Sequence, residues 1–240
     1  MDGVLKRLAL ILLLAGCGPH PPVVPPPGAL APGKAEGGMF RAVFGGRASR
    51  ARLQWSNVTA TEGAACRSSL RAWGVTFSSL PDRPAPDAKL CGIPHGVRIP
   101  QGPTGIAWQP ELVLDCSMAL LLPEVEAVIQ RVATATLGQR IARIRTFGTY
   151  SCRDMVGWLG TKSEHSFANA IDIAAFDMAD GKAITVLKDF YQPTAGGRFL
   201  RRLHDELRAD THLSYVLGPD HDAAHKNHFH LDHGVRWAAF

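Results

Sequence analysis

The stretch His225-Lys226-Asn227-His228-Phe229-His230-Leu231-Asp232-His233 is the part of the chain that decides the fold prediction. Within it, polar and apolar residues alternate over 228–232. This pattern predicts a β-strand, because successive side chains of a strand point to opposite faces of a sheet. One face then carries two histidines toward solvent, and the other packs Phe229 and Leu231 on a core.

A second stretch, 163–173, supplies further groups that bind metals. His165 and Asp172 are too far apart in sequence to share one helical face, and they fit a loop that enters a strand. A carboxylate flanked by Ile171 and Ile173 is costly to bury unless a cation pairs with it. Two histidines and one aspartate with an open fourth position form the ligand set of a catalytic zinc site. We therefore expect one Zn²⁺ per chain.

These motifs, taken in order, resemble a known group of enzymes. Ser163-x-His165-x6-Asp172 followed by His228-x-His230 is similar to the zinc peptidase superfamily. That superfamily contains lysostaphin-type enzymes, D-Ala-D-Ala carboxypeptidases and the hedgehog signalling domain. The resemblance implies a zinc hydrolase that cuts peptide bonds.

A narrower resemblance comes from the wider context of the motifs. The spacing His225-x-x-His228-x-His230 is similar to that of the penicillin-insensitive murein endopeptidases. The segments 148–153, 163–173, 216–219 and 225–232 together most closely resemble the bacterial extensin-like C-terminal domain family, from about residue 65 to the C-terminus. Many relatives have Gly where this chain has Ala168, and we expect the loop to tolerate that small change.

The resemblance also implies a role for each polar residue. His165, Asp172 and His230 would hold the zinc ion. His228 would stand closest to the reacting water as general base, with His225 assisting. A supporting or solvent-exposed position for His225 is the alternative.

Two residues before the ligand motif are candidates for binding substrate. Arg153 resembles the arginine that D,D-peptidase relatives place at the substrate, where a cation holds a carboxylate or the developing oxyanion. A surface salt bridge is its alternative role. Ser163 would bond the substrate or fix the loop of His165, and Asp232 would orient a ligand or lie on the surface.

The N-terminal segment 1–17 has the pattern of a signal peptide. Lys6 and Arg7 precede an apolar run over 8–14 that is too short to span a bilayer. Leu14-Ala15-Gly16-Cys17 resembles the bacterial lipobox, which implies that lipidated Cys17 is the mature N-terminus and anchors the protein to a membrane. A plain secretory signal with an incidental cysteine is the alternative.

Domain organisation and localisation follow from the composition of the remaining chain. Residues 18–59 form a Pro-rich and then basic tether, and 60–240 form one folded domain. Gly18 resembles an outer-membrane sorting signal, so we expect an exported lipoprotein of the outer membrane that faces the periplasm.

The charge balance favours anionic partners. The formal net charge is +5 and the sequence pI is about 9.1, which suits cell-wall polymers or lipid headgroups. No motif that reads nucleic acid is recognisable, so nucleic acid is not an expected partner. The sequence leaves the oligomeric state open.

Four cysteines besides Cys17 predict two disulfides in an oxidising compartment. They are Cys66, Cys91, Cys116 and Cys152, and no two form a Cys-x-x-Cys pair, which argues against a thiolate zinc site. Three pairings are possible. We take Cys66 with Cys91 and Cys116 with Cys152 as the prediction.

The patterns together predict an α+β fold in which a small, mainly antiparallel sheet has flanking helices and carries the zinc site on its face. The predicted helices are 64–73, 116–122, 123–137 and 198–207. The predicted strands, clustered late in the chain, are 96–99, 141–147, 170–173, 213–217 and 228–232.

The leading functional hypothesis is a zinc-dependent peptidase that cuts amide bonds in the stems or cross-links of peptidoglycan. The alternative is a metal-containing lipoprotein that binds the cell wall without turnover, which would not need His225 and His228. A structural protein like plant extensin would need Ser-Pro repeats, and the chain has no Ser-Pro dipeptide. A D-Ala to diaminopimelate cross-link, an L,D bond and a terminal D-Ala all suit the site.

Overall fold

The structure, a computed structural model, describes residues 60–82 and 91–234. The predicted signal segment, Cys17 and the tether lie outside these residues. The helices are α1 (Ala60–Ala72), α2 (Cys116–Ala119), α3 (Leu122–Leu137), α4 (Val186–Asp189) and α5 (Ala195–Asp210). None of the helices in these two ranges is both long and apolar enough to cross a bilayer.

The strands run through most of the described chain, and two 3-10 helices (Glu164–Phe167 and Ala223–His225) lie near its candidate site residues. The strands are β1 (Thr76–Ser79), β2 (Val97–Gln101), β3 (Ala107–Leu114), β4 (Ile141–Gly148), β5 (Asp154–Met155), β6 (Trp158–Lys162), β7 (Ala170–Met178), β8 (Ala183–Thr185), β9 (Tyr215–Leu217) and β10 (Phe229–Asp232).

Eight of these strands form one mixed sheet in the order β1-β2-β3-β4-β7-β10-β9, with β8 paired to β7. Only β3 and β4 are parallel neighbours; the other recorded pairs are antiparallel. Strands β5 and β6 form a separate antiparallel hairpin. Helices combined with a mainly antiparallel sheet confirm the predicted α+β class.

The expectation that strands cluster late in the chain missed β1 and β3. β3 contains Pro110, and proline normally argues against an inner strand because it cannot donate a backbone hydrogen bond. Here β3 pairs with β4 over Ala107–Gln109 and with β2 at Ala107 and from Leu112 to Leu114. Pro110 falls between the paired stretches, so its missing N–H breaks no recorded pair.

The two faces of the central strands have different partners. Phe176 of β7 packs edge-on against Phe199 of α5 with ring centroids 5.2 Å apart, and Phe229 of β10 lies 5.6 Å from His204 of α5. His230 follows Phe229 in β10, so alternation turns it to the opposite face. Asp172 lies directly opposite His230 in the antiparallel register and shares that face, and the pairing of β7 with β4 shifts between Ile173 and Ala175, before Phe176. We call that opposite face of β4, β7 and β10 the site face.

Helix α3 shows why the local sequence folds as predicted. Pro123 stands in its first turn, where the missing N–H costs nothing, and Glu124 complements the positive end of the helix dipole. Gly138 ends the helix with φ of 67°, a left-handed conformation that glycine adopts without strain. The apolar side of α3 is buried in the core under the sheet.

The prediction of two disulfides is confirmed, but the predicted pairing is wrong. Cys66 bonds Cys116, and Cys91 bonds Cys152. Cys66 lies on α1, and Cys116 is the first residue of α2. The two helices pack against each other. The packing of elements that are distant in sequence therefore decides which cysteines bond. The prediction failed because it paired cysteines that are neighbours along the sequence.

A buried carboxylate joins α3 to the β2–β3 connection. Glu126 is fully buried, and its oxygens accept hydrogen bonds from Thr104 N (3.0 Å), Thr104 Oγ1 (2.7 Å) and Trp108 Nε1 (2.7 Å). Gly102 approaches so closely that a Cβ there would lie 1.6 Å from Glu126 Oε1. Burial raises the pKa of Glu126, although the bonds from Thr104 and Trp108 oppose that shift.

Glu126→Ala is expected to lower the free energy of unfolding by about 3 kcal/mol, because the buried indole N–H of Trp108 and the partly buried donors of Thr104 lose their acceptor. Urea denaturation measures the loss. Glu111→Ala is the matched control, since Glu111 makes an exposed ion pair with Arg98 (3.4 Å) worth at most about 1 kcal/mol. Equal losses in the two variants would contradict the prediction.

The raised pKa of Glu126 also predicts a pH dependence. The native state holds a proton on this group more readily than the unfolded chain, so its contribution to stability is present below the ordinary pKa and is lost as pH rises through the folded pKa. We expect unfolding free energies measured from about pH 4 to pH 8 to decline more for the wild type than for Glu126→Gln. Parallel profiles would show that Glu126 does not titrate in this window.

Candidate metal centre

His165 is presented by a short, capped 3-10 helix. Ser163 begins this helix, and its Oγ accepts a hydrogen bond from His165 N at 3.4 Å. Ala168 ends it with φ of 53°, the left-handed region that costs a non-glycine residue about 1–2 kcal/mol. The chain therefore forms this left-handed turn with alanine.

Strands β7 and β10 bring two more polar groups beside it. The antiparallel register pairs His230 with Asp172 and Phe229 with Ile173. Directly opposite residues of neighbouring strands have their side chains on the same face, about 5 Å apart. Asp172 and His230 therefore meet on the site face, beneath the turn that carries His165.

Three atoms of these residues nearly touch. Asp172 Oδ1 lies 2.9 Å from His230 Nδ1 and 3.1 Å from His165 Nε2, and the two ring nitrogens are 3.2 Å apart. Ligand atoms about 2.1 Å from a tetrahedral zinc ion are roughly 3.4 Å from one another. The described groups thus have the composition and nearly the spacing of three ligands to one metal ion.

The outward nitrogens of the two imidazoles face acceptors. His165 Nδ1 is 3.2 Å from the carbonyl oxygen of Thr149, and His230 Nε2 is 3.1 Å from Asp232 Oδ2. These oxygens only accept, so in the neutral rings the protons sit on the outward nitrogens. The inward nitrogens then turn lone pairs toward the Asp172 carboxylate. This is the usual outer support of metal-binding histidines, and such a cluster needs positive charge at its centre.

When a ring is protonated instead, its inward N–H donates to Asp172, and the pKa values of the cluster shift accordingly. Burial opposes ionisation of Asp172, but the bonds and charges of His165 and His230 outweigh it and hold the pKa of Asp172 well below its usual range. Burial likewise disfavours the His230 imidazolium, but hydrogen bonds to Asp172 and Asp232 raise its pKa to about 9.

His228 and His225 border the cluster. His228 Nε2 is 3.5 Å from Asp172 Oδ1, and its Nδ1 is 2.9 Å from Asn227 Oδ1. The ring of His225 lies 5.2 Å from that of His228, with its Nδ1 2.7 Å from Asp222 Oδ1. Burial lowers the pKa of both histidines, against the opposing effects of Asp172 on His228 and Asp222 on His225.

The two candidate substrate residues occupy different positions. Ser163 is buried as the cap of the His165 helix. The side chain of Arg153 is exposed, with Nη1 3.5 Å from the carbonyl of Asp154. Within the described ranges, Arg153 makes no recorded hydrogen bond or ion pair with the cluster.

Several supporting groups were not found by sequence reasoning. Thr149 acts through its backbone carbonyl, which no residue pattern reveals. Asn227 and Asp222 orient the two bordering histidines. Asp222 has a usable signal, because an aspartate three residues before a histidine suits the cap of a short helix, and it caps Ala223–His225.

The fold and the site define an α+β protein whose sheet face carries a cluster of two histidines and one aspartate that could hold a metal ion. The model of one protein family, the extensin-like protein C-terminus, matches residues 64–239. The chain belongs to that family. No curated protein and no solved structure matches the chain.

Proposed function

We propose that this protein is a zinc-dependent peptidase that hydrolyses amide bonds in the peptide stems or cross-links of peptidoglycan. The observation that carries the proposal is the convergence of His165 Nε2, Asp172 Oδ1 and His230 Nδ1 within 2.9–3.2 Å of one another. The resemblance of the motifs to zinc peptidases and murein endopeptidases supports the reaction and the substrate.

The residues present fit a zinc ion. Two neutral imidazoles and one carboxylate are ligands that zinc accepts, and three protein ligands leave room for water or substrate. Thr149 and Asp232 hold the outward ring nitrogens, so the ligand atoms are oriented before any ion arrives. Lewis-acid polarisation of the scissile carbonyl and activation of water are the chemistry that zinc supplies at such a site.

The bordering histidines supply the proton transfer that amide hydrolysis needs. His228 is placed to take a proton from the attacking water and to return it to the leaving amine. Its Nδ1 is directed at Asn227, which leaves Nε2 facing Asp172 and the candidate site. His225, held by Asp222, stands behind His228 and assists by orienting it or by passing protons to solvent.

The proposed place of action is the periplasmic side of the outer membrane. It is supported by the lipobox-like segment that ends at Cys17, by the tether 18–59 and by the net positive charge. Extended Pro-rich chain rises about 3.1 Å per residue, so the tether is long enough to reach from a lipid anchor to the wall. Arg153, exposed beside the turn of His165, is the group we propose to meet a substrate carboxylate.

The proposal is tested by metal content and product release from one sample. The purified chain is analysed for metal and incubated with isolated sacculi, before and after treatment with a chelator and again after zinc is restored. We expect about one zinc per chain and new muropeptides whose masses identify the bond, with both lost on chelation. A chain that holds zinc but releases nothing would favour the non-catalytic wall-binding alternative.

Asp232→Asn is expected to weaken zinc binding by about 10- to 100-fold, because the weaker acceptor no longer fixes the ring of His230. Competition with a chromophoric chelator measures the affinity. Asp205→Asn is the matched control, because Asp205 is an exposed carboxylate beside His204, outside the cluster. Equal affinities for the wild type and Asp232→Asn would contradict the support assigned to Asp232.

A further inference from the structure

The β5–β6 hairpin carries an exposed apolar tip that the proposed chemistry leaves unexplained. Val156 is 74% exposed, Trp158 64% and Leu159 97%. Soluble proteins seldom leave such side chains grouped in solvent unless a partner covers them. The tip is therefore a candidate binding surface.

The base of this hairpin is fixed to the turn that carries His165. The buried Ser166 Oγ accepts from Arg153 N at 3.0 Å and donates to the carbonyl of Arg153 at 2.8 Å. Ser151 N donates to the carbonyl of His165, and Ser163 N to that of Arg153. These bonds set the hairpin beside the metal centre, so whatever the tip binds is held next to the candidate active site.

Another exposed aromatic residue lies at the centre itself. Phe147, near the end of β4, is 60% exposed, and its ring meets that of His228 edge-on with centroids 5.8 Å apart. Exposed apolar surface thus occurs both beside the proposed general base and on the hairpin that follows β4 in the chain. A polymer that reaches the cluster would therefore contact both Phe147 and the hairpin tip.

The charge of the hairpin indicates which class of ligand suits its exposed tip. Residues 156–160 are uncharged, and the charge of Lys162 is paired with Asp154 at 2.6 Å. Proteins normally bind an anionic lipid surface through several cations that are free of ion pairs. In this described hairpin and the residue before it, Arg153 is the one cation without an ion pair. A neutral ligand with apolar faces matches the tip better.

We propose that the hairpin binds the glycan strands of peptidoglycan, with the C–H face of a sugar ring stacked on Trp158 and flanked by Leu159. A sugar ring presents a face of weakly positive C–H groups, which suits the negative face of an aromatic ring. This inference rests on the proposed function, which it deepens: the metal centre takes the peptide, and the hairpin holds the sugar chain to which that peptide is attached.

The test uses peptide-free glycan strands, prepared by removing the stems from sacculi, so that binding is measured without hydrolysis. We expect the wild-type chain to bind these strands and Trp158→Ala to bind about tenfold more weakly, the scale of one aromatic contact. Leu187→Ser is the matched control for Leu159→Ser, because Leu187 is an exposed leucine on α4. The Leu187 variant should bind as the wild type does, and the Leu159 variant should bind more weakly.

Other outcomes overturn the inference. The inference is wrong if the wild type does not bind glycan, or if the hairpin variants bind glycan as well as the wild type does. It is also wrong if the wild type binds phosphatidylethanolamine–phosphatidylglycerol vesicles instead and the Trp158 substitution abolishes that binding. The two proposals fail separately. Glycan binding without product release from sacculi removes the proposed peptidase alone, and product release without glycan binding removes the role of the hairpin alone.

Discussion

His230→Ala is expected to abolish both zinc binding and the release of muropeptides. The substitution removes one of the three proposed protein ligands and leaves only His165 and Asp172 of that set. Protein zinc sites bind with about 10 kcal/mol or more, so a third of that free energy is at least about a hundredfold in affinity. Metal analysis after dialysis and mass spectrometry of sacculus digests measure the two losses.

The matched substitution is His228→Ala, two residues away on the border of the same cluster. It should keep the metal, because the three ligand atoms are untouched, and lower hydrolysis by about 10²- to 10⁴-fold, the usual contribution of a general base. Loss of zinc in this variant would make His228 a ligand instead. Full activity of His228→Ala would move the proton transfer to His225.

Removing the Cys91–Cys152 disulfide is the second large effect that we expect. The bond closes a loop with a sequence separation of 61, and its loss in Cys91→Ser/Cys152→Ser should lower the unfolding free energy by about 4 kcal/mol. Urea denaturation measures this change. The same variant should also bind zinc more weakly, because Cys152 adjoins Arg153, whose backbone holds the turn of His165 through Ser166.

The other disulfide provides the comparison. Cys66→Ser/Cys116→Ser opens a loop of similar length, with a sequence separation of 50, and should cost a similar amount of stability. Because this disulfide joins α1 to α2, its removal should leave the zinc affinity unchanged. If both double variants lowered zinc affinity equally, the effect would belong to general loosening of the fold.

Periodicity and spacing predicted a large part of the fold and of the candidate site. Pro123 and the acidic residues that follow it located the start of α3, and the alternation of 228–232 located β10. The sequence motifs grouped His165, Asp172 and His230, whose ligand atoms do lie close together: the register of β7 and β10 pairs Asp172 with His230, and the 3-10 helix adds His165. These features depend on local side-chain pattern, which a sequence displays directly.

What the sequence could not predict depends on tertiary packing. The disulfide partners are set by where α1 and the loop of Cys91 come to rest, so proximity along the chain misled the pairing. The support of His165 by Thr149 comes from a backbone carbonyl, which is the same for every residue type. Strand β3 was hidden by Pro110, whose missing donor matters only where a neighbouring strand would use it.

The position of β10 in the sheet also determines when the site is complete. It is the last strand of the described chain, yet it lies between β7 and β9. β9 cannot join the sheet until β10 has inserted, and pairing over such sequence distances is slow compared with local folding. A chain threaded across a membrane from its N-terminus would therefore assemble His165 and Asp172 early but acquire His230 only in the final docking step. The order of folding would therefore delay completion of the proposed metal centre until β10 has docked.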